Sequence, residues 1–334
     1  MTAPRVAAPS GLVIRPYAGE SDIPELVRII NAEYAADNIN ERRTEDGERA
    51  YLASPSESFD VARDVVMAEL GGRAVAVAGQ DWTDTRDGEL REYHLWGAVD
   101  PEFRGRGIGT ALLADNERRA RELAATQATD RRRVFGSSSA DDRPAAALLR
   151  SSGYVVVRWY FDMVRASLEG LIDTPLPEGF ELRPVTRELY LTLWRANREA
   201  FRDHWGGSDE SEEAMHRFFD QPDADPELWL IAWDGDEIAG GVLNWISPDE
   251  NATLGVQRGW LASVFTRRQW RRRGLARALI ASSLGVLRER GMTSAALAVD
   301  ADNPMSALGL YEEAGFVVDE RFAAYRKPMD EVAT

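Results

Sequence analysis

Apolar positions along the chain alternate between two rhythms, and the order of those rhythms is the same in each half. Leu12–Arg15 reads as a strand, and Ile23, Leu26, Val27 and Ile30 then recur at helical spacing, which predicts an amphipathic helix. Ser21 or Asp22 can cap it, with Pro24 in its first turn. A short helix over 41–52 follows, then strands at Val65–Leu70, Val75–Asp81 and Leu90–Val99, with Gly71–Gly72 and Asp87–Gly88 as hairpin turns. A glycine-rich turn at 105–109 opens a helix running to about Ala125. A strand Val134–Ser138, a helix Arg143–Ser151 and a strand Tyr154–Val164 close the series. After Ala166–Gly179 it begins again: a strand at 180–184, helices at 186–203 and 209–220, and strands at 228–234, 237–246 and 258–266. A helix at 273–290, a strand Ser294–Val299, a helix at 304–314 and strands from Phe316 and Phe322 complete it.

The repetition is visible in the letters as well. LVIRP at Leu12 returns as FELRP at Phe180, NAEYAADN at Asn31 as NREAFRDH at Asn197, RGRGIGTALL at Arg104 as RRRGLARALI at Arg271, and SSGYVV at Ser151 as EAGFVV at Glu313. The offsets stay between 162 and 168, so the chain reads as a tandem duplication. The expected division is a first domain over 1–165, a linker over 166–179 marked by Pro175, Pro177 and Gly179, and a second domain over 180–334. Each copy is expected to be α/β, of the mixed α+β kind: a mostly antiparallel sheet with flanking helices and a central parallel strand–helix–strand crossover of right-handed sense.

The glycine turn is the first candidate for chemistry. A strand, a glycine turn and a helix N-terminus aim several backbone N–H groups at one spot and add the positive end of the helix dipole. Six arginines (267, 268, 271, 272, 273 and 277) surround the second copy's turn. They stand against a background of 40 basic and 56 acidic residues and a net charge of −16. The spot suits a diphosphate. Neither turn ends in the Gly-Lys-Ser/Thr of a nucleotide P-loop, and three antiparallel strands precede each, which argues against a dinucleotide-binding fingerprint.

Composition narrows the partners. The acidic balance argues against nucleic acid and anionic membranes. No apolar run approaches the length of a bilayer span and no signal-peptide core is present, so the cytoplasm is the expected compartment. With no cysteine and three histidines, disulfides, thiolate metal sites, cysteine nucleophiles and a multi-histidine metal site are not expected. A tandem chain can stand in for a homodimer or form one.

Two motifs together carry a resemblance. Arg-x-x-Gly-x-Gly/Ala after a strand, then NPMSALGLYEEAGF from Asn303 to Phe316, resembles the GNAT superfamily of acyl-CoA-dependent N-acetyltransferases. The duplication, with DHWG at 203–206, is similar to the tandem two-domain, mycothiol-synthase-like type. The resemblance implies acetyl-CoA as cofactor and an amine of a small molecule or peptide as acceptor. It maps the pyrophosphate onto Arg271, Arg272, Arg273, Gly274, Leu275, Ala276 and Arg277, and the pantetheine arm onto the strand edge Val264, Phe265 and Thr266. A bulge in that strand would splay it from the next and offer a backbone N–H to the thioester carbonyl. Asn303 would hydrogen-bond the pantetheine region, although Asn303-Pro304 also reads as an ordinary helix cap. Tyr311, about two helical turns on, would give a proton to the leaving thiolate.

The general base stays open between His204 with Asp203, the pair Asp249 and Glu250 in a turn, Asp300, Asp302, and a water chain. In the first copy Arg104, Gly105, Arg106, Gly107 and Gly109 keep the turn intact and could hold the cofactor. Asp141 and Leu149, however, stand where Asn303 and Tyr311 would. The first copy therefore reads as a degenerate supporting domain, with Glu92 and His94 keeping an independent activity open. A non-catalytic acyl-CoA-binding module and a structural pseudoenzyme are the competing readings.

Overall fold

A computed structural model of the chain describes residues 7–39, 42–52, 56–85, 87–202, 204–205, 211–221, 224–301 and 307–330. The elements are β1 (Leu12–Pro16), α1 (Ile23–Ala36), α2 (Glu45–Leu52), α3 (Val61–Asp64), β2 (Val65–Leu70), β3 (Arg73–Asp84), β4 (Leu90–Val99), α4 (Ile108–Thr126), β5 (Arg132–Ala140), α5 (Pro144–Ser151) and β6 (Val155–Arg165). They continue as β7 (Glu181–Arg183), α6 (Tyr190–Ala200), α7 (Glu212–Phe219), β8 (Leu230–Asp234), β9 (Glu237–Trp245), α8 (Pro248–Leu254), β10 (Arg258–Thr266), α9 (Leu275–Glu289), β11 (Ser294–Asp300), α10 (Ala307–Glu313) and β12 (Val317–Pro328).

The chain forms two compact units. One takes in the chain to Arg158 together with Ala323 onward, and the other most of Trp159–Phe322. These units cut across the sequence repeat at both ends, because each repeat's last strand serves both. In the first unit the order is β1-β2-β3-β4-β5 and then the end of β12; in the second it is β6-β11-β10-β9-β8-β7. Neighbours through β4 are antiparallel and β4/β5 is parallel; correspondingly β7 to β10 are antiparallel and β10/β11 is parallel. The mixed sheet with a parallel strand–helix–strand crossover is thus present in both units.

Each sheet is covered on both faces. In the first unit Ile23, Leu26, Ile29 and Ile30 of α1 pack with Val65, Met67 and Val77, while Ile108 and Leu112 of α4 pack with Val66, Ala68 and Ala76 on the other face. The second unit repeats this, with Leu193, Trp194 and Ala200 of α6 on one face and Leu275, Leu279, Leu284 and Leu287 of α9 on the other. The alternation of small and branched residues in the strands is what lets both layers close.

Several expectations change. Asp22 stands at the N-cap position of α1 but makes no capping side-chain hydrogen bond; it instead accepts from Arg15 Nη1 and Nη2 at 2.7 and 2.8 Å and from the Ala18 N–H. Its pKa is lowered by that guanidinium. The helix expected over 186–203 is a 3-10 turn, Arg187–Leu189, followed by α6. Asp249 and Glu250 lie in a helix, α8, not a turn, because Pro248 at its start and Gly255 in the left-handed region bracket one short segment. The two strands expected from Phe316 and Phe322 are one continuous strand, β12. The Ala166–Gly179 segment is not a solvated tether: Leu168 is fully buried, its N–H bonds Thr293 O at 2.9 Å, and Leu171 and Leu176 pack on the second unit's core.

No described helix is long and apolar enough to cross a membrane. In the first unit, Arg326 near the chain's end donates to Glu92 Oε2 at 2.9 Å from Nε and 2.5 Å from Nη2, with both side chains largely buried. Removing one partner of such a pair leaves the other charge unsatisfied. Glu92→Ala is expected to destabilise this unit by about 3 kcal/mol in urea unfolding, while the second unit's transition stays where it was.

Candidate active site

The two glycine turns adopt the same backbone path. Arg104 and Arg271 are extended (φ −63°, ψ 160° and φ −64°, ψ 156°), and Gly107 and Gly274 cap their helices in the left-handed region at φ 80° and φ 81°. Between them Gly105 sits at φ 74° and Arg272 at φ 63°. A non-glycine residue held there is strained, and the second turn accepts that strain to place a guanidinium at its tip. No side chain caps either helix, so the first-turn N–H groups of α9, including those of Leu275 and Ala276, remain open to a ligand.

The arginines divide by role. Arg267 is tied to Glu199 at 2.8 Å and to Ile238 O at 2.9 Å and lies over Trp270. Arg271 donates to Thr266 O at 3.1 Å and Ala200 O at 2.9 Å, locking β10 and α6 to the turn. Arg277 pairs with Glu313. Arg272 and Arg273 are exposed and make no ion pair among the described residues. They are the two guanidiniums left for an anion.

From this turn a cavity of about 800 Å³ runs into the second unit. Its wall includes Val264, Phe265 and Thr266, Arg271, Arg272, Gly274, Leu275, Ala276 and Arg277, and it reaches Tyr311 and His204. It exists because β10 parts from β11. Their parallel pairing covers only Arg258, Gly259 and Trp260, opposite Ser294, Ala295 and Ala296. Beyond that point β10 shifts register against β9 between Leu261 and Ser263. The bulge therefore lies upstream of Val264–Thr266, where the Ser263 hydroxyl accepts a buried hydrogen bond of 2.7 Å from Asn197 of α6. Within the cavity wall the Thr266 hydroxyl is buried with no partner among the described residues, a polar atom that fits the amide-bearing arm of an acyl carrier.

Tyr311 is nine-tenths buried, edge-on to Phe316 at 6.2 Å, and its helix is closed by Arg165 donating to Ala314 O. Burial alone pushes its pKa up to about 12. It stays a proton donor throughout the neutral range. His204 stands edge-on to Phe201 at 4.5 Å, and both line the cavity. Asn303, Asp203 and Asp302 lie outside the described residues, and Arg273 faces solvent at the turn without lining the cavity. Two further residues line it: Asp300, whose carboxylate is buried, and Tyr160, which no motif marked because it belongs to the other repeat's last strand.

The first unit departs at each of these points. Its cavity, at about 380 Å³, is half the size, and β3/β4 keeps one register from Ala76↔Val99 to Asp84↔Arg91 with no bulge. The Trp96 indole lies over Gly79, where a Cβ would collide with it. Arg104 is claimed by Asp37 (2.5 and 2.8 Å) and Glu33 (3.2 Å). Arg106 lies over Phe103 and bonds Glu102 O, while Gly105, Gly107 and Gly109 line the cavity. Leu149 is a buried core residue and Asp141 pairs with Arg150. Glu92 is committed to Arg326, and His94 lies 3.8 Å from Asp81. Burial lowers the His94 pKa, but the hydrogen bond and charge of Asp81 outweigh it, for a net rise.

The comparisons with known proteins agree with this architecture. A family model described as the acetyltransferase (GNAT) family matches residues 190–316, and one described as an acetyltransferase (GNAT) domain matches 62–156. A mycothiol acetyltransferase of Geodermatophilus obscurus is 29% identical over 302 residues, covering 88% of this chain and 90% of the relative. One of Thermobispora bispora is 31% identical over 238 residues, covering 70% and 73%. Among solved structures, a GCN5-related N-acetyltransferase from Sphaerobacter thermophilus superposes with TM-score 0.72 at 27% identity, covering 97% of both chains. A tandem GNAT protein from the clavulanic acid biosynthesis pathway shares the fold, with TM-score 0.69 at 17% identity over 96% of this chain and 99% of that one. The chain belongs to the GNAT family and is a tandem acyl-CoA-dependent N-acetyltransferase, with acetyl-CoA as its cofactor.

The two turns invite paired tests. Arg272→Gly removes a strained left-handed residue and is expected to raise stability by about 1 kcal/mol in urea unfolding, whereas Arg272→Val lowers it. In the first unit, burial raises the Glu33 pKa to about 7, Arg104 opposing and Asp37 adding to the shift. Its folded value lies above its unfolded one of about 4.3. The stability it contributes is therefore full below that pH and lost as pH rises through 7. Glu33→Gln is expected to flatten the first unit's pH–stability curve between pH 4 and 8.

Proposed function

We propose that the second unit carries the chemistry, transferring an acetyl group from acetyl-CoA to a primary amine of a small molecule or peptide by direct attack in a ternary complex. The observation that carries this reading is the single cavity joining the α9 turn to Tyr311 through the parting of β10 from β11. Arg272, Arg273 and the first N–H groups of α9 hold the diphosphate, as a helix N-terminus with free guanidiniums is suited to do. The strand edge Val264–Thr266 aligns the pantetheine arm, with Asn303 as a further partner. The acetyl thioester supplies an activated carbonyl, and a backbone N–H at the 261–263 bulge stabilises the oxyanion that forms on it.

Tyr311 donates its phenolic proton to the departing thiolate. The amine must be neutral to attack, and His204, which lines the cavity, is assigned here to the acceptor. The first unit keeps the turn but has Leu149 in place of the tyrosine, so it serves as support. Both units together occupy the cytoplasm, where acetyl-CoA is available. The likeness to mycothiol acetyltransferases over most of the chain makes a mycothiol precursor the first acceptor to test.

Tyr311→Phe keeps the ring and loses the proton. Turnover is expected to fall about 100-fold with acetyl-CoA affinity unchanged, read from loss of thioester absorbance and from calorimetric titration. Turnover equal to the parent across the pH range removes Tyr311 from the acid role. Absence of acetyl-CoA binding by the parent protein removes the whole reading.

A further inference from the structure

Arginines of the α9 turn line the cavity at one end, and among its described lining residues the one carboxylate is Asp300. On β11, Ala295, Leu297 and Val299 pack with the α9 core. Strand side chains alternate, so Ala298 and Asp300 face the opposite way, toward the side of the sheet that α6 covers. β6 pairs antiparallel with β11, with Asp300 opposite Tyr160 and Ala298 opposite Asp162. Directly opposed residues share a face. Tyr160, Asp162 and Asp300 therefore lie together on the α6 side, and Phe161 and Met163 go to the core of the other face. Tyr160 and Asp300 line the same cavity as Tyr311, Phe201 and His204.

Asp300 is 8% exposed and sits at the far end of β11, four residues beyond the last pairing with β10. β10 itself carries no carboxylate or histidine over Arg258–Thr266. The groups facing this spot are Tyr160 and Asp162 from β6, His204 beyond α6, Tyr311 from α10 and the arginines of the turn. Among the described residues Asp300 is the carboxylate that both lines the cavity and lies on the α6 side of the sheet.

We propose that the cross-strand pair Asp300 and Tyr160 is the seat of the acceptor's ammonium group, and that Asp300 receives the proton that must leave before attack. The acceptor class is then an amine that arrives protonated, and the inference rests on the acetyl-transfer reading above. Asp300 takes one proton from R–NH3⁺ and passes it to solvent. The neutral amine forms the C–N bond at the thioester carbonyl, the C–S bond breaks, and the thiolate takes a proton from Tyr311. The second proton lost by nitrogen restores the Tyr311 phenol. One proton is released overall for each amide and free thiol formed. Tyr160 orients the ammonium and is a positioning residue. Because it lies in the last strand of the first repeat, neither repeat alone encodes the complete site.

The test is Asp300→Asn and Tyr160→Phe in the full chain, with phenethylamine and spermidine as probe amines at saturating acetyl-CoA. Asp300→Asn is expected to lower kcat/KM for the amine about 100-fold at pH 7. The deficit should shrink steadily toward pH 9.5, as solution itself supplies free amine, while calorimetric acetyl-CoA affinity stays at the parent value. Tyr160→Phe is expected to raise the amine KM with kcat retained. A deficit in Asp300→Asn that is absent at pH 7, or the same at every pH with cofactor binding intact, overturns the seat while leaving acetyl transfer standing. If the parent protein consumes neither amine nor any member of a wider amine panel, the acetyl-transfer reading fails and takes this inference with it.

Discussion

The site depends on one local disagreement between strands. β10 pairs with β11 for three residues and then leaves it, and the register shift against β9 at Leu261/Ser263 fixes where that happens. A parting of strands exposes backbone N–H and C=O groups that a sheet interior would otherwise pair, a cost tolerated only where something else holds the geometry. Here the buried Asn197–Ser263 hydrogen bond pins the bulged strand to α6, and Arg271 bonds β10 and α6 through their carbonyls. The same parting creates the cavity, leaves a strand edge free beside it and aims the α9 N-terminus into its mouth.

Comparison of the units shows how little must change for a cradle to lose its partner. Both turns share their dihedral path within about ten degrees at each special residue. In the second unit Arg267 absorbs Glu199, and Arg272 and Arg273 make no ion pair among the described residues. In the first, Asp100 stands where Arg267 would, Arg28 and Arg73 claim it, and Arg104 is left to hold Glu33 and Asp37. With no bulge in β4 and an indole over Gly79, the space beside the strand is also reduced. Electrostatics and packing move together, so the two cavities differ in both size and charge.

The chain's last strands add a second constraint. Residues 159–165, encoded with the first repeat, pair with β11 of the second unit, while Arg326 and Lys327, encoded with the second repeat, ion-pair with Glu92 and Glu117 of the first. Each unit thus takes its last strand from the other repeat's stretch of sequence. This also explains why Arg165 of β6 closes α10 and so helps hold Tyr311.

The sequence by itself determined most of the element order, the duplication and the two glycine turns, because each leaves a local signature: alternation, helical spacing, or a glycine where φ must be positive. Local signals failed where stability comes from afar. Asp22 looked like a cap and is a buried ion-pair partner of Arg15; the Ala166–Gly179 segment looked like a tether and buries Leu168; six arginines looked alike, yet Arg267 is held by Glu199 and Arg277 by Glu313 while Arg272 and Arg273 make no ion pair among the described residues. Which arginines stay free, where β10 leaves β11, and that Tyr160 meets Asp300 were decided only by tertiary structure. Each depends on residues far apart in sequence coming into contact, and no spacing along the chain encodes such a meeting.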